Sequence, residues 1–300
     1  MDTLLNRAMI PFTFQELFLE WSRSPDAVIY AGGTNILGRQ EKNILSLPPA
    51  FICLDKMSEL HNITRTEHYL EIGAMAKLNR IINLGKIIPQ ALRTCLEKIG
   101  GYQLRNVATI GGNICSLSRN HGFADFSQTV KKPKERIAGK DSLLDLPAPL
   151  AALDAQYELR CSPTSARWVS ALRFHTAHDI CFSKQELLTR IRLPIHQWDY
   201  SVYKKFFSED YFNTEALVFL AKTRKNILSE IKVIYKSGTI IRNKSAEDIL
   251  NGKFLPLNRK TADDFMENWR EFLKKRDTEP DLSKNTLLNA IRENVQNLSE

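Results

Sequence analysis

The stretch "IYAGGTNILG" (Ile29–Gly38) sets two adjacent glycines directly behind a short apolar run, and "NVATIGGNIC" (Asn106–Cys115) repeats the arrangement later in the chain. Glycine accepts positive φ and lets backbone N–H groups approach an anion with no Cβ in the way. Taken singly, each stretch reads as no more than a tight turn. The pair reads as two halves of one clamp, because each turn follows apolar residues read as a strand and each carries a threonine and an asparagine. Thr34, Asn35, Thr109 and Asn113 would add side-chain hydrogen bonds to those of the backbone. Two such turns from different subdomains suit the two phosphates of a dinucleotide. Neither is GxGxxG or a Walker loop, so the usual nucleotide fingerprints are absent.

At 300 residues the chain is long enough for a substantial core divided into two or three lobes. Its 43% hydrophobic and 25% charged residues are ordinary for a soluble globular protein. No apolar run approaches the roughly 20 residues of a membrane span. The opening "MDTLLNRAMIPFTFQEL" lacks the basic start and long apolar stretch of a signal peptide. Cys53, Cys95, Cys115, Cys161 and Cys181 are scattered, with no CxxC pair, which argues against a disulfide framework or a cysteine-rich metal site and for a reducing cytoplasm. The net charge of +8 raises the question of nucleic acid. The densest basic run, Lys131 to Lys140, carries no aromatic residue to stack a base, so it reads as a solvated loop. An acidic partner subunit or an anionic ligand is the better match for the charge. In "HTAH", His175 and His178 lack an acidic third ligand and read as surface histidines, and no metal site is expected. No Ser-His-Asp set or carboxylate pair stands out either, and no residue is assigned as catalytic. That pattern suits a chain whose cofactor carries the chemistry.

The order of elements is mixed, which makes the fold class α+β. "TFQELFLEWSRSP" has helical apolar spacing and stops before Pro25. "AVIYAGGTN" and "FICLDKM" read as short strands, and "YLEIGAMAKL" as strand, turn and helix start. "IIPQALRTCLEKIG" is a helix ended by Gly100-Gly101. "APLAALDAQYEL" reads as helix into strand, and "ELLTRIRLPI" as a strand stopped by Pro194. "EALVFLAKTRKNILSEIKVIYKSG" reads as a hairpin whose first half could also be helical. Beyond Thr261, Phe265, Trp269, Phe272 and Leu273 recur at helical spacing, and a linker is placed near Pro194 to Tyr200.

In order along the chain, "AGGTNIL", "LEIGAMAKL", "LRNVATIGGNI", "DLPAPLAALDAQYEL", "ELLTRIRLP", "YKKF" and "SAEDILNGK" resemble the FAD-binding subunits of the molybdenum hydroxylases, the family of xanthine dehydrogenase and aerobic carbon monoxide dehydrogenase. The resemblance runs from about Pro11 to Pro256. It implies a two-subdomain FAD-binding domain of the vanillyl-alcohol-oxidase/PCMH type over residues 1–195, divided near residue 55, then a small α+β domain over residues 196–300. It also implies that Ala31, Gly32, Gly33, Thr34, Asn35 and Ile36 hold the FAD pyrophosphate together with Thr109, Gly111, Gly112 and Asn113. By the same resemblance Asp145 supplies a carboxylate to the ribose or flavin, Lys204 lies near the flavin ring, and Leu187 packs on the isoalloxazine. Read from the residues alone, Asp145 serves equally as a helix N-cap, Lys204 as a surface lysine and Leu187 as ordinary core. The partners implied are an iron–sulfur subunit and a molybdopterin subunit, with NAD or another acceptor receiving the electrons.

The chain departs from the family pattern in three places. The connection from the second glycine turn to Asp145 is longer by roughly 20 residues, beyond the usual compact loop. That brings Asp125 into contention as the carboxylate. Some relatives carry a cysteine-rich insertion for a four-iron cluster hereabouts, and here only Cys115 is available. The segment from Ser116 to Leu144, polar, basic and broken by Pro133 and Gly139, therefore reads as facing solvent or a partner. Ile99 stands where some relatives place an aromatic near the flavin, and the tail from Lys260 lacks their basic-aromatic segment. Two rival readings follow: a scaffold that keeps the fold without flavin, and a stand-alone FAD oxidoreductase of the same fold.

Overall fold

The structure is a computed structural model that describes residues 7–34, 36, 48–115, 145–176, 185–207, 214–237, 239–275 and 281–299. Among the described residues, three sheets follow one another along the chain. The first is small and parallel, β1 (Arg7–Met9), β2 (Val28–Tyr30) and β3 (Ala50–Cys53) in the order β1-β3-β2. Helix α1 (Phe14–Arg23) crosses from β1 to β2. Thr13 starts it, its Oγ1 accepting the Glu16 N–H at 3.2 Å, while Glu16 Oε2 accepts the Phe12 N–H at 2.7 Å. Phe14, Leu17 and Trp21 form its buried stripe, and their core also takes in Ile52, Met57, Leu60, Met75 and Leu187.

The second sheet is antiparallel, with β4 (Ile63–Arg65), β5 (Tyr69–Gly73), β6 (Gln156–Arg160), β7 (Ala166–Ser170) and β8 (Leu187–Pro194) in the order β4-β5-β8-β6-β7. The period-2 alternation of strands divides its faces. Leu70, Ile72, Tyr157 and Leu159 enter the main core with residues of α2 (Leu78–Ile82), α3 (Gln90–Glu97), α5 (Ile110–Cys115) and α6 (Pro147–Ala152). On β5 and β8 the alternate positions are ionic: Glu71 takes Arg190 at 2.7 Å and Arg192 at 2.8 Å, and Arg192 lies 4.1 Å from the ring centre of Trp168. Short helix α4 (Tyr102–Arg105) sits between α3 and α5, and α7 (Ala171–Thr176) follows β7.

The third sheet, in the order β12-β11-β10-β9, comprises β9 (Tyr200–Phe207), β10 (Thr214–Arg224), β11 (Ile227–Ser237) and β12 (Thr239–Arg242). Lys225 and Asn226 join β10 to β11 with φ of 52° and 60°, the conformation of a two-residue type I′ hairpin turn. Tyr203, Ala216, Val218 and Leu220 face the main core, whereas Leu217, Phe219, Ala221 and Tyr235 face α8 (Lys244–Leu250), α9 (Arg259–Lys274) and α10 (Asp281–Asn297). Both faces are thus covered, which is why "EALVFLA" shows no apolar–polar alternation and could be read as a helix from sequence. It is a strand. The tail helices are as expected, with Phe265 and Trp269 fully buried against the sheet.

Candidate functional site: two glycine turns in contact

The first turn leaves β2 at Ala31, just past the point where Tyr30 O accepts the Leu54 N–H at 3.0 Å. Gly33 has φ +68°, a left-handed conformation that glycine adopts without strain. A Cβ on Gly32 would come within 2.3 Å of the Val107 carbonyl oxygen. Gly32 is therefore glycine because the second turn's backbone lies directly against it. The two turns picked out from the sequence touch. Among the described residues, the amides of Gly32, Gly33 and Thr34 reach no backbone carbonyl. Ile36 is buried, and Asn35 lies outside the described residues.

The second turn does not follow a strand, as the sequence suggested. It follows α4, with one isolated bridge pairing Lys77 and Thr109. Arg105 fixes this approach: its Nη1 donates to the carbonyls of Glu97 (2.9 Å) and Gly100 (2.6 Å), and its Nε to Asn79 Oδ1 (3.1 Å). Thr109, 2% exposed, opens α5, and its Oγ1 accepts the Gly112 N–H at 3.1 Å. Ala76 O takes the Ile110 N–H at 3.1 Å, Ala74 O the Gly111 N–H at 2.9 Å, and Thr109 O the Asn113 N–H at 3.1 Å. Every amide from Ile110 to Asn113 is thus engaged inside the protein. Gly111 packs on β5's end, since its Cβ would lie 2.8 Å from both Ala74 Cβ and Ala74 O. Gly112 differs. A Cβ there would meet only its own cap, Thr109 Oγ1 at 2.8 Å, and Ala31 Cβ of the first turn at 3.9 Å. Beside it, Asn113 Oδ1 is buried without a hydrogen-bond partner among the described residues. A buried, unpaired amide oxygen is a costly feature for a protein to keep unless a ligand completes it.

The remaining candidates lie elsewhere. Asp145 is 2% exposed, and its Oδ2 accepts from Lys205 Nζ of β9 at 2.7 Å. The cap position of α6 is Leu146, one residue after Asp145, the N-cap candidate. The ion pair joins the segment before α6 to the third sheet. Burial first, then the neighbouring Cys95 and Asp145, push the Tyr203 phenol upward, and burial pulls Lys236 downward in the same interface. Lys204 points the other way, as alternation along β9 requires, and pairs with Glu293 of α10. Lys205 is the lysine of "YKKF" that faces Asp145 and the main core, a choice of face that period-2 alternation alone leaves open. Leu187 is 4% exposed inside the first core, and Ile99 is 8% exposed in the main core. His175 is not the surface histidine expected: its Nε2 lies 3.0 Å from Tyr157 Oη, and burial, then the charge of Lys236, lowers its pKa to about 3. His178, Asp125, Cys181 and the segment 116–144 lie outside the described residues. Among the described residues no cluster of three or more potential metal ligands occurs.

The family described as "FAD binding domain in molybdopterin dehydrogenase" matches residues 6–196, well over half of the chain. The protein belongs to this family. FAD is accordingly its cofactor. It is 26% identical over 256 residues to the xanthine dehydrogenase FAD-binding subunit of Escherichia coli O157:H7, covering 82% of this chain and 78% of that one. It is 31% identical over 128 residues to aldehyde oxidase 2 of Cavia porcellus, 39% of this chain, and spans only 9% of that longer protein. A chain of quinoline 2-oxidoreductase from Pseudomonas putida 86 shares the α+β fold, with a TM-score of 0.74 at 19% identity, covering 100% of this chain and 98% of that one. The contacting turns of this FAD-binding protein fit a dinucleotide. Three amides of the first turn without carbonyl partners among the described residues suit phosphate oxygens, the missing Cβ of Gly112 leaves room between the turns, and Asn113 offers a buried amide group, whose oxygen suits a ribose hydroxyl.

Proposed function

We propose that the chain is the FAD-binding electron-transfer subunit of a molybdenum hydroxylase-type complex, working with an iron–sulfur subunit and a molybdopterin subunit. The observation that carries the reading is the contact between the two glycine turns, Gly32 against Val107 and Ala31 beside Gly112. When bound, FAD supplies the exchange between electrons delivered through iron–sulfur clusters and release to NAD or another acceptor. The chain's own residues bind and orient it. The amides of Gly32, Gly33 and Thr34, with Asn35 and Ile36 following, cradle the pyrophosphate from one side. From the other, Thr109 fixes the start of α5 so that Gly112 presents a bare backbone and Asn113 its amide. Leu187 and Ala31 lie in the apolar core behind the first turn and keep water from that side.

Asp145 acts through the third sheet, not as an exposed cofactor ligand. It is held by Lys205 below the surface, and this pair ties the C-terminal sheet to the lobe that carries α6. Substrate hydroxylation is assigned to the partner subunits of the proposed complex. No helix of the described residues is long and apolar enough to cross a membrane, and the free thiols of Cys53, Cys95, Cys115 and Cys161 suit a reducing cytoplasm.

The isolated chain is expected to purify with a flavin absorbance spectrum, or to gain one on reconstitution with FAD. A folded chain that takes up no FAD would favour the scaffold reading. The isolated chain should leave its flavin oxidised when offered purines, aldehydes or N-heterocycles. Flavin reduction by any of them, without partner subunits, would favour the stand-alone oxidoreductase.

A further inference from the structure

A second concave site lies on the opposite end of the middle sheet from the glycine turns. The register of β5 on β8 sets the distance: Gly73 pairs with Arg190 near the turns, whereas Tyr69 pairs with Pro194 at the far end. Beyond Pro194 the connection to β9 forms one wall of a cleft of about 580 Å³, and the residues leading into α3 form the other. Ser201 Oγ closes its floor by accepting the Ala91 N–H at 3.0 Å, so the cleft is built across the junction of the two domains.

Its walls carry Arg65, Lys86 and His196, with the amide side chains of Gln90 and Gln197 and the indole of Trp198. Arg65, Lys86 and His196 make no ion pair or side-chain hydrogen bond among the described residues, whereas on the neighbouring strands Arg160, Arg167, Arg190 and Arg192 are each paired with a carboxylate. The one carboxylate in the wall, Asp199, is committed to the sheet, its Oδ2 accepting from Thr223 N (2.6 Å) and Thr223 Oγ1 (2.9 Å). Trp198 is held from behind. Lys232, 4% exposed and not part of the wall, lies 5.1 Å from the ring centre and is itself anchored by Asp154 and Glu230. A fixed aromatic plate beside unpaired cations suits a ligand that combines a planar ring with an anionic group.

We propose that this cleft is a binding site for a nucleoside phosphate, separate from the FAD site, with the base against Trp198 and the phosphate between Arg65 and Lys86. The charge and ring account for the class, and the volume lies within the range of small-molecule sites.

The test uses the FAD-saturated protein, so that added nucleotide cannot enter the glycine turns. Titration with AMP is expected to quench tryptophan fluorescence saturably and to give a matching calorimetric isotherm. Trp198→Phe should remove most of the quench. Arg65→Ala combined with Lys86→Ala should weaken AMP by about tenfold or more in calorimetry, with FAD content unchanged. Both residues are exposed, so the double variant is expected to fold. Inorganic phosphate should compete weakly and adenosine weakly, since each fills half the site. Three outcomes would overturn the proposal: no saturable AMP binding at millimolar concentration, binding unchanged in the double variant, or binding that displaces FAD. Phosphate binding as tightly as AMP would reduce the site to an anion patch and also overturn it.

Discussion

The two glycine turns look alike in sequence and are built in opposite ways. In "AGGTN" the glycines are required by shape, Gly32 by the Val107 carbonyl pressed against it and Gly33 by its positive φ, while the amides of Gly32 and Gly33 reach no backbone carbonyl among the described residues. In "TIGGN" the amides are engaged, Gly111 is required by Ala74, and only Gly112 is free of a packing reason outside its own cap. The first turn therefore supplies donors and the second supplies space and a side-chain amide. A motif shared by two loops specifies a backbone path, and the hydrogen-bond inventory decides which loop has donors left for a ligand.

That division of labour can be broken most severely at Gly32. Gly32→Ala places a Cβ 2.3 Å from a backbone oxygen that has no alternative position without moving the second turn. We expect a loss of about 3 kcal/mol in urea unfolding, together with loss of FAD. Stability within about 1 kcal/mol of the parent would mean that the two turns do not meet as described. Gly111→Ala should cost less, about 2 kcal/mol, because Ala74 sits at a strand end that can yield slightly, and part is returned by alanine's better helix propensity. Its FAD affinity should fall only in proportion to any shift of α5. Strong FAD loss with unchanged stability would move Gly111 to the ligand's side of the comparison.

Most of the scaffold was legible in the chain. The α1 helix stops where Pro25 demands, α3 ends at Glu97 shortly before Gly100 with φ +52°, and β8 ends at Pro194, each signal being local and steric. The two glycine pairs drew notice as well, although the second, read as a turn after a strand, lies inside α5. What sequence did not disclose was non-local. That α4 and not a strand precedes the second turn depends on Arg105 reaching back to the carbonyls of Glu97 and Gly100. The choice between Lys204 and Lys205 depends on which face of β9 meets Asp145, and a stretch such as "YKKF" gives its period but not its phase. His175 was misread because "HTAH" looks polar, whereas α7 turns the first histidine against Tyr157 and Phe174.

Asn113 sharpens the comparison with a smaller change. Its Oδ1 has no protein partner among the described residues, so Asn113→Ala removes an unsatisfied acceptor and should alter apo stability by less than about 1 kcal/mol. FAD should nevertheless bind about tenfold more weakly, the loss of one polar contact to the ligand. An apo protein strongly destabilised by this change would show that the amide serves the fold, and the ligand argument would lose its second turn.

Gly112→Ala is the mildest change to the fold and the most informative about the ligand. Alanine in α5 gains about 0.5–1 kcal/mol in helix propensity over glycine. Against this, the new Cβ presses on the Thr109 hydroxyl 2.8 Å away and weakens a cap of about 1 kcal/mol. The two nearly cancel, so the melting temperature should hardly move. The methyl group nevertheless projects toward Ala31, where the nearest other atom lies 3.9 Å away, into the space between the turns. If the pyrophosphate occupies that space, flavin content after reconstitution should fall, with an apparent Kd raised about tenfold or more. Fluorescence titration of released FAD measures it directly. An alanine variant that melts with the parent and binds FAD equally well would place the pyrophosphate wholly on the first turn, leaving the second as a wall and not a ligand.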